Sequence, residues 1–273
     1  MTGMTTPISL PPLSDEQRYL FDLQGFLILR QVVPAAQIKR ANLAMERLEA
    51  LSDAEFPPRV VLGSPRTAAN LYISNLLESG AEFDDFIDVP AVLGVIRGVI
   101  GTQFRLNHAY SITRHETGFT GLHMGGTPLV PQAPYAVLGG SIYSPLTKAV
   151  FPLLPCRSED GCFAAIPGSH KSSFRRPWGD HPQQNPALVP VIADPGDAIV
   201  FSEAMTHGSM VNTSGRLRRT LYFCYSQAWT TDWTSQGLRF SNELLARLVP
   251  DRRALLALAD GAGSAPVPMR YLD

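Results

Sequence analysis

Apolar positions change their spacing twice along this chain. Up to about residue 102 they recur mostly at helical intervals, from Gln103 to Trp229 they gather into short runs between Gly, Pro and Asn, and after Ser241 helical spacing returns. Ser14 followed by Asp15-Glu16-Gln17 reads as a helix start with acidic groups favouring the dipole, and Gly25 ends that helix. Phe26 to Leu29 then forms a short strand. Pro34 opens a second helix in which Ile38, Ala41, Met45 and Leu48 share a face. A third helix is expected around Pro90 to Ile100, after a loop at Phe56-Pro57-Pro58.

In the middle section Phe104 to Ile112 alternates apolar and polar, with His108 on the apolar side. Further strands are expected at Ala136 to Tyr143, Ala149 to Leu154, Cys162 to Ile166, Ala198 to Phe201 and Thr220 to Tyr225. After Ser241, Leu244, Leu245 and Leu248, then Leu255, Leu256 and Leu258, flank Pro250 in helical spacing. Residues 1–13, rich in Thr and Pro, read as a loose leader. The expectation is one domain over residues 1–273: a mostly helical section (1–102), a β core (103–229) and a helical section (230–273), mainly β with flanking helices.

Composition narrows the function classes. At 273 residues there is ample length to bury a core, and 23 Lys and Arg against 24 Asp and Glu give no pull toward nucleic acid or anionic membrane. A small-molecule substrate is the default. Cys156, Cys162 and Cys224 are odd in number and lack CxxC spacing, and neither a signal-peptide pattern nor an apolar run of membrane-spanning length is present. A soluble protein in a reducing, cytoplasmic setting is expected.

The chemistry concentrates at His123-Met124-Gly125 and His207, with Arg218 eleven residues beyond the second histidine. Two histidines with one carboxylate on one face of a metal leave three positions open, the arrangement of non-haem Fe(II) oxygenases. Alone, His123 would more often be an ordinary core or loop histidine. Its glycine-rich surroundings (Gly118, Gly121, Gly125, Gly126) permit close backbone approach to a metal or cosubstrate. Gly196-Asp197 leading into Ala198-Ile199-Val200-Phe201 reads as a tight turn into a buried strand that delivers His207.

These segments resemble the phytanoyl-CoA dioxygenase family of Fe(II)/2-oxoglutarate oxygenases. The resemblance rests on Asp160-Gly161-Cys162-Phe163-Ala164-Ala165-Ile166-Pro167-Gly168-Ser169-His170-Lys171, Gly196-Asp197, His207-Gly208-Ser209 with Asn212 and Ser214, and Arg218, and it extends to Gly25-Phe26-Leu27-Ile28-Leu29. It implies a double-stranded β-helix, a jelly-roll or cupin-like fold, with His123 and His207 as iron ligands, Fe(II) and 2-oxoglutarate as cofactors and O₂ as co-reactant. Arg218, with Ser214, would hold the cosubstrate, because a planar guanidinium pairs bidentately with a carboxylate. Arg219 faces the other way on a strand and is expected to be solvent-facing or salt-bridged. His170 is expected to be structural. Lys171, Arg175 and Arg176 read as a solvated basic loop or a grip on an anionic substrate group, and Trp229 and Trp233 as packed side chains or a cover for the pocket mouth.

The third ligand is open at this stage. The family's His-x-Asp or His-x-Glu is His-x-Gly here, which matches the iron halogenases: with the third position open beside Gly125, an aliphatic C–H bond of a small molecule is expected to be halogenated, a bound chloride being transferred in place of hydroxyl, or hydroxylated, with water in that position. Alternatively a carboxylate comes from elsewhere. Glu203 is the first candidate, but on a continuous strand four residues at about 3.3 Å each put it roughly 13 Å from His207. Glu159 and Asp160 would need an unusual path, and a third histidine, His115 or His108, would leave Arg218 without a purpose. A β-barrel binding module without turnover is the competing class; retention of His207 and Arg218 speaks against it.

Overall fold

The computed structural model describes residues 10–125, 133–230 and 240–256. Gly126, Trp233, Leu258 and most of the expected leader lie outside the described residues. Helix α1 (Asp15–Gln24) starts at a Ser14 capping box, in which Ser14 and Gln17 satisfy each other's backbone N–H groups, and it ends at Gly25 with φ +88°. A Cβ at Gly25 would also meet the His170 ring at 2.6 Å, so glycine is required there twice over. Strand β1 (Phe26–Leu29) and helix α2 (Ala35–Ala50) follow. Then come β2 (Val61–Leu62), β3 (Asn70–Ser74) and α3 (Pro90–Ile100).

The long strand β4 (Phe104–Arg114) leads to a hairpin of β5 (Ala136–Leu138) and β6 (Ser141–Tyr143), which takes the place of one continuous strand because Gly139 and Gly140 both adopt positive φ. Strands β7 (Leu146–Pro152), β8 (Phe163–Ala165), β9 (Val189–Pro190), β10 (Ala198–Ser202), β11 (His207–Ser209) and β12 (Arg218–Gln227) complete the β structure. Short helices α4 (Asn242–Arg247) and α5 (Pro250–Leu255) close the described chain.

A seven-stranded antiparallel sheet runs β1-β10-β7-β12-β4-β3-β2, and a three-stranded sheet runs β11-β8-β9. This is the double-stranded β-helix, or jelly roll, expected from the sequence. Its large sheet draws β1, β2 and β3 from the section expected to be mostly helical, so residues 1–102 are not a layer apart from the β core. One face of the sheet carries Leu221, Phe223, Tyr225, Phe151 and Val200 and packs on Leu93, Ile96 and Phe86. The opposite face carries Tyr222, Tyr110, Ile199 and Phe201 toward Phe163 and Ala165 of the small sheet. Burial on both faces explains why these strands read as near-continuous apolar runs. No helix among the described residues is long and apolar enough to cross a membrane, and the three cysteines are free and buried.

Candidate metal and cosubstrate site

His123 and His207 are joined by their own backbones. His123 N–H donates to the His207 carbonyl at 3.0 Å and His207 N–H donates back at 3.1 Å, so a bridge outside the regular strands holds the two rings with centroids 4.2 Å apart. Each Nδ1 lies against a backbone carbonyl two residues earlier, Gly121 at 2.9 Å for His123 and Met205 at 2.8 Å for His207. That contact assigns the ring proton to Nδ1 and leaves both Nε2 lone pairs free. His207 is buried between Phe201 and Phe163. Burial, and then the nearby His123, push its imidazole well below the ordinary histidine range, so it is neutral, the form that ligates metals.

Glu203 completes a cluster. Its carboxylate and the two imidazoles offer ligand atoms that lie within 4.8 Å of one another, with Glu203 Oε2 3.9 Å from His207 Nε2. The separation of roughly 13 Å expected on a continuous strand does not hold, because the strand breaks between Glu203 and His207. β10 ends at Ser202, residues 203–206 form a turn, and β11 starts at His207 in the other sheet, so the chain folds back instead of running straight for four residues. Ser169 and Thr206 hold that turn. Ser169 Oγ accepts from Thr206 N–H at 2.8 Å, and Thr206 Oγ1 donates to the Met124 carbonyl at 3.0 Å. This gives the Pro167-Gly168-Ser169 motif its physical purpose: it pins the residue immediately before His207.

A side chain at position 125 would not project into open space. It has φ +83°, and a Cβ built on it would lie 1.9 Å from Thr206 Oγ1. The direction in which the usual carboxylate would leave position 125 is filled by the threonine. A cavity of about 400 Å³ opens next to this turn, with Gly125, Thr206, Ile166, Phe174, Arg175 and Trp178 among its walls.

At the other end of the interior, Arg218 is buried. Its Nε donates to Thr220 Oγ1 at 3.1 Å and one Nη donates to Tyr222 Oη at 2.9 Å, while Nη1 has no partner. Arg219, one residue on, points through the opposite face of the sheet and pairs bidentately with Glu49 at 2.8 and 2.6 Å and with Glu46 at 3.2 Å. Strand alternation separates the neighbours as expected, and Arg219 takes the salt-bridged outcome. Arg114 lies opposite Arg218 in the β4–β12 register and binds the Phe119 carbonyl and Thr120 Oγ1, steadying the segment that leads to His123.

Other expectations are redirected. Ser214 donates to Asp160 Oδ1 at 2.7 Å and accepts from Arg216 N–H, so it closes a surface turn instead of joining Arg218 at a cosubstrate. Glu159 and Asp160 pair with Arg216, and neither joins the histidine cluster. His108 rests against Asn107, with burial holding its imidazole down at about 3, and exposed His115 lies on a different surface; neither belongs to the cluster. His170 is structural, as expected: it contacts the Asp22 carbonyl at 3.1 Å and the Tyr135 ring. Arg176 ties the basic loop to the Leu122 carbonyl, Lys171 pairs with Asp22, and Trp229 is exposed.

Lys148 was not singled out from the sequence. It is buried in the middle of β7, 3.0 and 2.9 Å from the two Glu203 oxygens and 3.4 Å from Tyr110 Oη. A lysine inside Leu146-Thr147-Lys148-Ala149-Val150-Phe151, an otherwise buried strand, was the available signal. Burial alone would depress its amine, and the Glu203 carboxylate outweighs that, holding the ammonium well above the usual lysine range.

The jelly roll with two histidines and a carboxylate at one end and a buried guanidinium at the other has the form of a mononuclear metal oxygenase. The chain belongs to the phytanoyl-CoA dioxygenase family, whose model matches residues 21–220, and it is thereby an oxygenase of the Fe(II)/2-oxoglutarate-dependent type. Among curated relatives, dioxygenase af480 of Aspergillus fumigatus is 27% identical over 254 residues, spanning 90% of this chain and 77% of that protein. Bovine peroxisomal phytanoyl-CoA dioxygenase is 21% identical over 239 residues, spanning 79% and 69%. HygX from Streptomyces hygroscopicus, solved with nickel and 2-oxoglutarate bound, superposes with a TM-score of 0.69 at 24% identity, covering 84% of this chain and 95% of HygX. At that identity the likeness speaks for the fold.

Proposed function

We propose that this chain is an Fe(II)- and 2-oxoglutarate-dependent hydroxylase of an aliphatic C–H bond in a small molecule, with His123, His207 and Glu203 as the metal ligands and Arg218 as the cosubstrate anchor. The observation that carries the reading is the convergence of three donors within 4.8 Å on the Glu203 side of the histidine pair, not on the Gly125 side. The residues present fit the groups that would be bound. The Glu203 carboxylate, in contact with Lys148 through both oxygens, faces His207 with Oε2, and Arg218 Nη1 is a buried donor with no hydrogen bond. A buried donor is costly to leave unsatisfied, and a carboxylate against Arg218 would satisfy it.

Iron with 2-oxoglutarate would supply the O₂-derived oxidant that attacks the C–H bond. The protein's part is positioning. The Gly121 and Met205 carbonyls fix both imidazole tautomers, the bridge between residues 123 and 207 fixes their separation, and Arg218, braced by Thr220 and Tyr222, orients the keto acid from its far end. HygX has also been seen with hygromycin B bound, which supports a small-molecule substrate in this fold.

In this reading the third ligand is Glu203 and chloride has no role, which favours hydroxylation over halogenation. The test is anaerobic iron reconstitution of His123→Ala, His207→Ala, Glu203→Gln and the wild type, followed by product analysis with chloride or bromide present. Loss of iron in all three variants and hydroxylated product regardless of halide are expected. Full iron in Glu203→Gln with halogenated product would restore the open position at Gly125.

A further inference from the structure

Lys148 is the one buried cation in contact with the candidate triad among the described residues, and its ammonium lies against both oxygens of the Glu203 carboxylate. Nζ donates to Oε1 at 3.0 Å. Oε2, at 2.9 Å from the same nitrogen, is out of hydrogen-bond geometry and faces His207 Nε2. Every residue of β7 is buried, so the ammonium has been taken out of water to make this contact. A buried ion pair of this kind is a weak source of stability compared with well-packed apolar side chains, which directs attention to what else the pair does. The lysine is itself held: Nζ lies 3.4 Å from Tyr110 Oη and 5.6 Å over the Tyr110 ring. Tyr110 stacks on Tyr222 at 4.6 Å with an interplanar angle of 4°, and Tyr222 Oη is the group that braces Arg218. One packed row thus runs from the guanidinium to the carboxylate.

We propose that Lys148 is the positioning residue for the third metal ligand: held by Tyr110 and hydrogen-bonded to Oε1, its ammonium fixes the Glu203 carboxylate with Oε2 facing the histidine pair. This rests on the reading that Glu203 is a ligand. Hydrogen-bond partners of this sort typically tune metal affinity about 10–100-fold.

The experiment is a Co(II) titration of the full chain in a double-mutant cycle of wild type, Lys148→Met, Glu203→Gln and the double variant, with thermal unfolding of each recorded alongside. Lys148→Met is expected to weaken Co(II) binding about 10–100-fold, to change the visible spectrum, and to add nothing in the Glu203→Gln background. Lys148→Gln, whose amide can still donate to Oε1, should recover part of the loss, and it carries the same cycle if Lys148→Met does not fold. Unchanged Co(II) affinity in Glu203→Gln would remove the ligand reading itself. Weakened binding in Glu203→Gln with wild-type affinity in the Lys148 variants would overturn the positioning role alone. An equal loss from Lys148→Met in both backgrounds would show that the lysine acts through the fold and not through Glu203.

Discussion

Arg218 and Arg219 are adjacent in sequence and opposite in physical situation. Arg219 crosses to the helix side of the large sheet, where Glu49 and Glu46 satisfy its guanidinium. Arg218 crosses to the interior, where two hydroxyls satisfy part of the fork and Nη1 is left bare. The contrast extends to their surroundings: Arg219 meets two carboxylates of the packed helix α2, while the interior that holds Arg218 also holds His207 and the Lys148–Glu203 pair. A guanidinium already met by carboxylates stabilises the fold; one that keeps a bare buried donor is suited to bind an anion.

That comparison predicts a separation of effects. Arg218→Met should weaken 2-oxoglutarate binding at least about 100-fold, the scale of a lost shielded charge-assisted pair, with a thermal midpoint close to wild type. Arg219→Met should do the reverse, lowering stability by about 1–3 kcal/mol in denaturant unfolding with cosubstrate affinity unchanged. Equal effects of the two on 2-oxoglutarate would break the assignment.

Packing on the helix side carries the larger change in stability. Phe223→Ala removes a fully buried ring that contacts Phe86 and Phe151 and should destabilise by about 3–5 kcal/mol, without altering metal stoichiometry in the fraction that stays folded. His170→Ala should cost stability and leave iron occupancy near wild type, measured by metal analysis after anaerobic reconstitution, because its contacts are to Asp22 and Tyr135. Iron loss in His170→Ala would place that histidine in the site. The smallest effect is expected for Tyr222→Phe. It keeps the stack on Tyr110 and removes one brace from Arg218, about 0.5–1.5 kcal/mol or a several-fold rise in the 2-oxoglutarate Kd by calorimetry.

The sequence pattern made the long buried strands legible, since Phe26 to Leu29, Ala198 to Phe201 and Thr220 to Tyr225 carry apolar side chains to two covered faces. It did not reveal β2, β3 or β9, which are short, half-buried or mixed in polarity and take their conformation from pairing partners distant in sequence. Spacing and resemblance pointed to His123, His207 and Arg218 as candidates; the fold brings the two histidines together and buries Arg218, and strand parity separated Arg218 from Arg219. The separation of Glu203 from His207 was overestimated because Ala204-Met205-Thr206 contains neither Gly nor Pro, so nothing in it announces the turn that ends β10. Lys148 was hidden by its apolar neighbours, and Ser214 by a motif that closes a turn instead of lining a site. A Gly125→Asp exchange, which looks like a simple restoration on sequence grounds, is compromised by positive φ and by the Thr206 hydroxyl, so it is a poor probe of the third position.

The identity of that third ligand separates hydroxylation at a protein-supplied triad from halide transfer at an open position. The most direct measurement is an anaerobic crystal structure with Fe(II), 2-oxoglutarate and bromide, read by anomalous scattering at the iron and bromine edges. The account predicts iron bound by His123, His207 and one Glu203 oxygen at about 2 Å, a distance typical of carboxylate–metal bonds. A bromide peak on the iron, with Glu203 turned away and paired only to Lys148, would contradict it.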